Sequence, residues 1–134
     1  MNGKIITIRQ IPVPQPRPRI TMRGTYNPAQ KKKKSAIIQV MQQIQGLSDF
    51  PLVCPINMQV HFYLPIPKGT SKKNHEQMCH NKIKHQKLGD LDNYLKYLFD
   101  VMNNLVFKDD KQIWKVDAQK EYSHDPRTVV LIEW

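Results

Sequence analysis

The stretch GDLDNYLKYLFDVMNNLVFKDDKQ (residues 89–112) gathers the groups best suited to chemistry: Asp90, Asp92, Lys96, Asp109 and Asp110. Carboxylates and a lysine at this density suit phosphodiester hydrolysis. That reaction needs a nucleophilic water, relief of the charge that builds on phosphorus, and help for the departing oxygen, and a bound Mg²⁺ or Mn²⁺ can supply all three. These ions take oxygen ligands from a few carboxylates and keep several waters. Within a regular helix, residues i and i+2 point to different sides. At a helix mouth the backbone is not yet helical, so Asp90 and Asp92 can converge on one ion. Asp110 follows the helix after a short connection and is expected to return a third carboxylate to that end. Lys96, at i+4 from Asp92, lies one turn in, where it can neutralise charge on the transition state. The plainer alternative makes Asp90 a helix cap, Asp92 a complement to the helix dipole and Asp109-Asp110 a turn. Asp100 is expected to face solvent, and Asp117, mid-strand, is assigned no chemistry.

Three pieces of structure must position these groups. Residues 91–103 place Leu91, Tyr94, Leu95, Leu98, Phe99 and Met102 at the spacing of an amphipathic helix, ended by Asn103-Asn104. Alternation predicts strands over 55–64, with Ile56, Met58, Val60, Phe62 and Leu64 on one face, and over 3–11, 113–122 and 127–134. A first helix is expected over 29–46, capped by Asn27, with Pro28 in its first turn and Gly46 as its stop. The segment PVPQPRPRITMRGTYNP (12–28) is too rich in proline for helix or central strand and reads as an extended basic loop, turning at Arg23-Gly24. Residues 65–88 show no period and read as a long loop. The expected fold class is α+β: one domain over 1–134, in two layers, in the order β-α-β-α-β-β, with a mixed sheet and two helices on one face. Phe62, Tyr97, Trp114 and Trp134 are expected in the core.

A chain of 134 residues can bury a core without disulfides or a structural metal. Its charge is unevenly distributed. Residues 1–88 carry 15 Lys/Arg against two acids, whereas residues 89–134 carry six against nine. A basic body points to a polyanion partner, and with DNA as that partner the acidic island calls for a divalent cation between carboxylate and phosphate. Residues expected at a DNA surface are Arg17, Arg19, Arg23, Tyr26, the run Lys31, Lys32, Lys33 and Lys34, and Lys72, Lys73, Lys84, His85 and Lys87 of the second loop. His75, Cys79, His80 and His85 match no common zinc spacing, so that loop reads as a basic segment near DNA. Two cysteines, the absence of an apolar run long enough to span a bilayer, and an opening without a charged segment followed by an apolar core lead to an expected reducing, cytoplasmic setting.

The string DLDNYLKYLFDVMNNLVFKDDKQI resembles the core of the RusA family, which pairs an Asp-x-Asp-Asn with a Lys four residues after the second Asp, then a helix, then an Asp-Asp. The Pro-rich opening, with Arg-Pro-Arg, a Gly and a Tyr-x-Pro, is similar to the family's opening, and DDKQIWKVDAQKEYSHDPRTVVLIEW to its strand–turn–strand ending. By this resemblance the metal carboxylates are Asp90, Asp92 and Asp110, and the active-site lysine is Lys96. It implies an intertwined homodimer, a Mg²⁺ cofactor that Mn²⁺ can replace, and paired nicks that resolve four-way (Holliday) junctions in recombination and repair, in a bacterial or phage-infected cell. Two departures stand out: Gly89, where relatives tend to carry a basic residue or Pro, and the length and lysine content of 65–88. The rival readings are a catalytically silent binder of branched DNA and a nuclease for flaps or RNA.

Overall fold

A computed structural model describes residues 2–16, 19–21, 24–26, 30–87 and 89–134, and gives the backbone alone for 19–21 and 24–26. The elements in chain order are β1 (Gly3–Ile8), β2 (Arg19–Thr21), β3 (Gly24–Tyr26), α1 (Gln30–Ile44), β4 (Ile56–Pro65), α2 (Lys72–Cys79), α3 (Leu91–Met102), a short 3-10 turn (Asp110–Gln112), β5 (Ile113–Ser123) and β6 (Arg127–Glu133). Four strands form one mixed sheet in the order β1-β6-β4-β5. β6 runs antiparallel to both β1 and β4, and β4 runs parallel to β5. A parallel pair needs a long crossover, and here the crossover contains α2 and α3. The fold is α+β as expected, with three α-helices among the described residues where the sequence suggested two.

The core is the inward half of each alternating strand set against two helix stripes. Met58, Val60 and Phe62 of β4 meet Val130 and Ile132 of β6, Ile6 and Ile8 of β1, Ala36 and Val40 of α1, and Tyr94, Leu98, Val101 and Met102 of α3. Burying each large apolar side chain contributes about 1.5–3 kcal/mol, so these two helices are fixed by their stripes. β1 is an edge strand, and α1 closes part of that edge. The Gln43 side chain accepts from the Thr7 N–H at 2.8 Å and donates to the Thr7 carbonyl at 2.7 Å, and Gln39 accepts from the Arg9 N–H. Gly46 (φ +78°) and Asn104 (φ +65°) take the left-handed backbone that ends α1 and follows α3.

Four expectations need correction. The segment 65–88 contains α2, begun by Ser71, whose hydroxyl accepts from the Asn74 N–H at 3.2 Å. This helix buries no residue, so it has no apolar period to be read. The Pro-rich segment carries a two-strand ladder, β2 on β3, where only extended loop was expected. The first strand ends at Ile8 rather than residue 11. Trp114 is 68% exposed beside the register shift at Ile56/Asn57, not in the core. The expected cap Asn27 and first-turn Pro28 lie outside the described residues. No described helix is long and apolar enough to cross a membrane.

Candidate active site

At the mouth of α3, Asp90 occupies the N-cap position with extended backbone (φ −74°, ψ 142°). Its carbonyl accepts the N–H groups of Asn93 and Tyr94, but its side chain makes no capping hydrogen bond. The capping alternative therefore does not account for this carboxylate. Asp92, in the first turn, and Lys96, one turn on, are both exposed.

The turn entering this mouth is tightly specified. Gly89 sits at φ +101°, and a Cβ there would run into the ring and hydroxyl of Tyr94. Proline, held near φ −65°, could not take this backbone, so the departure at position 89 has a local structural cause. Lys120, at an inward position of β5, donates from Nζ to the Gly89 carbonyl at 3.1 Å. The Gln15 N–H donates to the Asn93 carbonyl at 2.9 Å, tying the Pro-rich segment to the first turn of α3. The His85 ring packs tilted against that of Tyr122 (4.9 Å between centroids, 53° between planes), and burial first, then the Lys120 charge, holds its imidazole below the usual histidine range. Sequence reasoning missed Lys120, Tyr94 and Gln15 as supports. The available signal was a lysine between Ala118 and Tyr122, on the same face of β5.

The two acids at 109–110 divide into a structural and an available one. Asp109 forms a capping box with Gln112, accepting from the Lys111 N–H at 2.9 Å while the Gln112 side chain accepts from the Asp109 N–H. The backbone N–H of Lys111 is the main cause holding the Asp109 carboxyl below the usual range. Asp110 is pushed up, by burial first, then by its hydrogen bond with Asp109 and the charges of Asp109 and Asp100. Its electrostatic neighbours thus lie at the far end of α3. Asp90 and Asp100 are ten residues apart, about 15 Å at the helical rise. The connection does not return Asp110 to the Asp90 end within one chain, because the 3-10 turn is anchored elsewhere: Gln112 donates to the carbonyls of Leu52 and Cys54.

Asp100 faces solvent as expected, and Lys33 reaches it at 3.4 Å and lies 5.8 Å over the Tyr97 ring. Lys33 is thereby separated from the exposed Lys31, Lys32 and Lys34. Lys72, Lys73, Lys84 and Lys87 are exposed, and Lys84 also donates to the Asn81 carbonyl. Arg17 and Arg23 fall outside the described residues, and Arg19 and Tyr26 are described by backbone alone, on β2 and β3.

Residues 10–133 match the family Endodeoxyribonuclease RusA. The chain is also 32% identical over 132 residues to a protein of Bacillus subtilis (strain 168) named "Uncharacterized protein YqaN", an alignment covering 94% of this chain and 92% of that one. The matched span takes in the Asp90–Asp92 mouth, its Lys96 and the Asp109–Asp110 turn, and the chain belongs to the RusA family of endodeoxyribonucleases.

Proposed function

We propose that this protein resolves four-way DNA junctions by paired, divalent-cation-dependent phosphodiester hydrolysis, acting as a homodimer. The observation that supports the reading most is the Asp90 carboxylate, which stands at a helix mouth without serving as its cap. Donor chemistry agrees with Mg²⁺: Asp90 and Asp92 offer hard oxygen ligands on non-helical and first-turn backbone, and Asp110 would add a third carboxylate. When bound, the cation would supply charge neutralisation and a more acidic water. Asp90, Asp92 and Asp110 would hold it. Lys96 would offset charge on the phosphate, one turn in from Asp92. The basic residues of the Pro-rich segment, of α1 and of 72–87 would grip the backbone of the arms.

Homodimerisation has two supports. Asp110 lies at the opposite end of α3 from Asp90 and Asp92, so a three-carboxylate site calls for a second chain; two-fold pairing with the α3 helices antiparallel would bring Asp110 of the partner subunit to the Asp90 end. The sheet face away from the helices also carries apolar surface, since Ile5 is 60% exposed and Val129 and Leu131 stay outside the core cluster. Within the 65–88 segment, His85 meets Tyr122 on the helix-bearing side.

The test is incubation with a synthetic four-way junction in Mg²⁺, Mn²⁺ or EDTA, alongside linear duplex, flap and RNA substrates. Cleavage should favour the junction and stop in EDTA. Asp90→Asn and Asp92→Asn should abolish cleavage while junction binding holds or tightens, because removing a carboxylate also removes repulsion of phosphate. Full activity in EDTA or in either variant would refute the assignment, and equal cutting of all substrates would refute junction selectivity.

A further inference from the structure

α2 poses a physical problem. It is eight residues long and buries none of them, and helices this short are marginal without tertiary packing. On its exposed surface His75 and Cys79 stand at i and i+4, one above the other. Facing them is His124, in the β5–β6 turn. That turn is well fixed: Asp125 pairs with Arg9 at 3.3 Å and Arg127 at 3.8 Å, and its N–H donates to the Ser123 hydroxyl. Cys79 Sγ lies 3.0 Å from His124 Nε2 and 3.8 Å from His75 Nδ1, and the two imidazole rings are 4.5 Å apart. The three ligand atoms all fall within 4.8 Å of one another.

We infer that His75, Cys79 and His124 form a site for a Zn²⁺-class transition metal that clamps α2 onto the β5–β6 turn. Zinc bound tetrahedrally at the usual Zn–S and Zn–N lengths sets sulfur and nitrogen ligands about 3.6 Å apart, between the two separations found here. The donors are an imidazole pair and a sulfur, softer than the oxygens of the acidic site, so the two sites select different metals. Binding converts the Cys79 thiol to thiolate and releases its proton to solvent. His75 and His124 also line a groove of about 370 Å³ together with Thr70 and Ser123, among others, from which water would complete the coordination. The clamp spans 45 residues of sequence between Cys79 and His124. It would hold Lys72 and Lys73 in fixed relation to the sheet. The spacing within 75–85 gave no sign of it because the third ligand comes from the β5–β6 turn, while His80 and His85 take no part.

The test uses the full chain, stripped of metal and titrated with Co²⁺ and then Zn²⁺. One Co²⁺ per chain should produce tetrahedral visible bands and a near-ultraviolet thiolate-to-metal charge-transfer band, displaced by Zn²⁺. Cys79→Ser should abolish the charge-transfer band, His124→Asn should weaken binding at least tenfold, and Cys54→Ser should change neither. The thiolate band distinguishes this site from the carboxylates at Asp90 and Asp92, which carry no sulfur. Amide exchange over 72–79 should slow with Zn²⁺ in the wild type and not in Cys79→Ser. No charge-transfer band, a band that persists in Cys79→Ser, or exchange over 72–79 indifferent to Zn²⁺ would overturn the inference.

Discussion

Lys96 is exposed on α3, four residues after Asp92 and four before Asp100, so it lies on an acid–base–acid stripe. If it acts on the scissile phosphate, Lys96→Ala should lower turnover by about 10²–10³, the scale of losing one charge-stabilising donor, with junction affinity nearly unchanged. A lysine that only grips backbone would instead weaken binding and reduce the salt slope by about one unit. Measuring turnover and salt-dependent binding on the same variant separates these outcomes. His85 makes a different prediction. Its folded pKa lies below the unfolded value, from burial and the Lys120 charge, so it favours the folded state while neutral. That contribution is present above about pH 6.5 and is lost as pH falls through the lower folded value. The wild type should lose more stability in urea than His85→Gln between neutral and mildly acidic pH. Equal losses would show that the ring is not held neutral by the fold.

At the scale of elements, the join between β5 and the mouth of α3 matters most. Lys120→Met removes the bond to the Gly89 carbonyl and leaves the Asp90 turn held by Tyr94 packing and backbone alone. Cleavage should fall about tenfold to a hundredfold, the cost of modest misplacement, while junction binding and oligomeric state persist. Unchanged kcat would show that the turn needs no such support. Elements that bury a stripe were legible in the sequence: α3 from its Tyr94–Leu98–Met102 spacing, β4 from strict alternation. α2 was not, since nothing in KKNHEQMC faces a core and only the Ser71 cap announces it. The acidic site was half legible. Composition marks Asp90, Asp92 and Asp110, but which end of α3 receives Asp110 depends on Gln112 anchoring to Leu52 and Cys54, a long-range choice invisible to local pattern. Trp114 misled because its exposure follows from a register irregularity, not from residue type.

For the whole molecule, the separation of Asp110 from Asp90 gives a test that mixing can decide. Asp90→Asn and Asp110→Asn chains should each be inactive alone. If sites are shared between subunits, a mixed dimer pairs both lesions in one site and leaves the other intact, so mixing should restore single nicks without full resolution. If each chain builds its own site, every site in the mixture carries a lesion and no nicking returns. Sedimentation equilibrium without DNA should show a mass twice 15.8 kDa; a monomer would exclude the obligate dimer. The sheet order has a further consequence, for how the chain assembles itself. β6 is last in sequence yet sits between β1 and β4, and it is the sheet partner of β1, registering Ile8 against Thr128. Until residues 127–133 dock, β1 has no ladder to join and β4 keeps an open edge. Such pairings close loops spanning nearly the whole chain, which raises contact order and slows folding. The nascent protein therefore holds a basic, partly paired chain in waiting until β6 arrives.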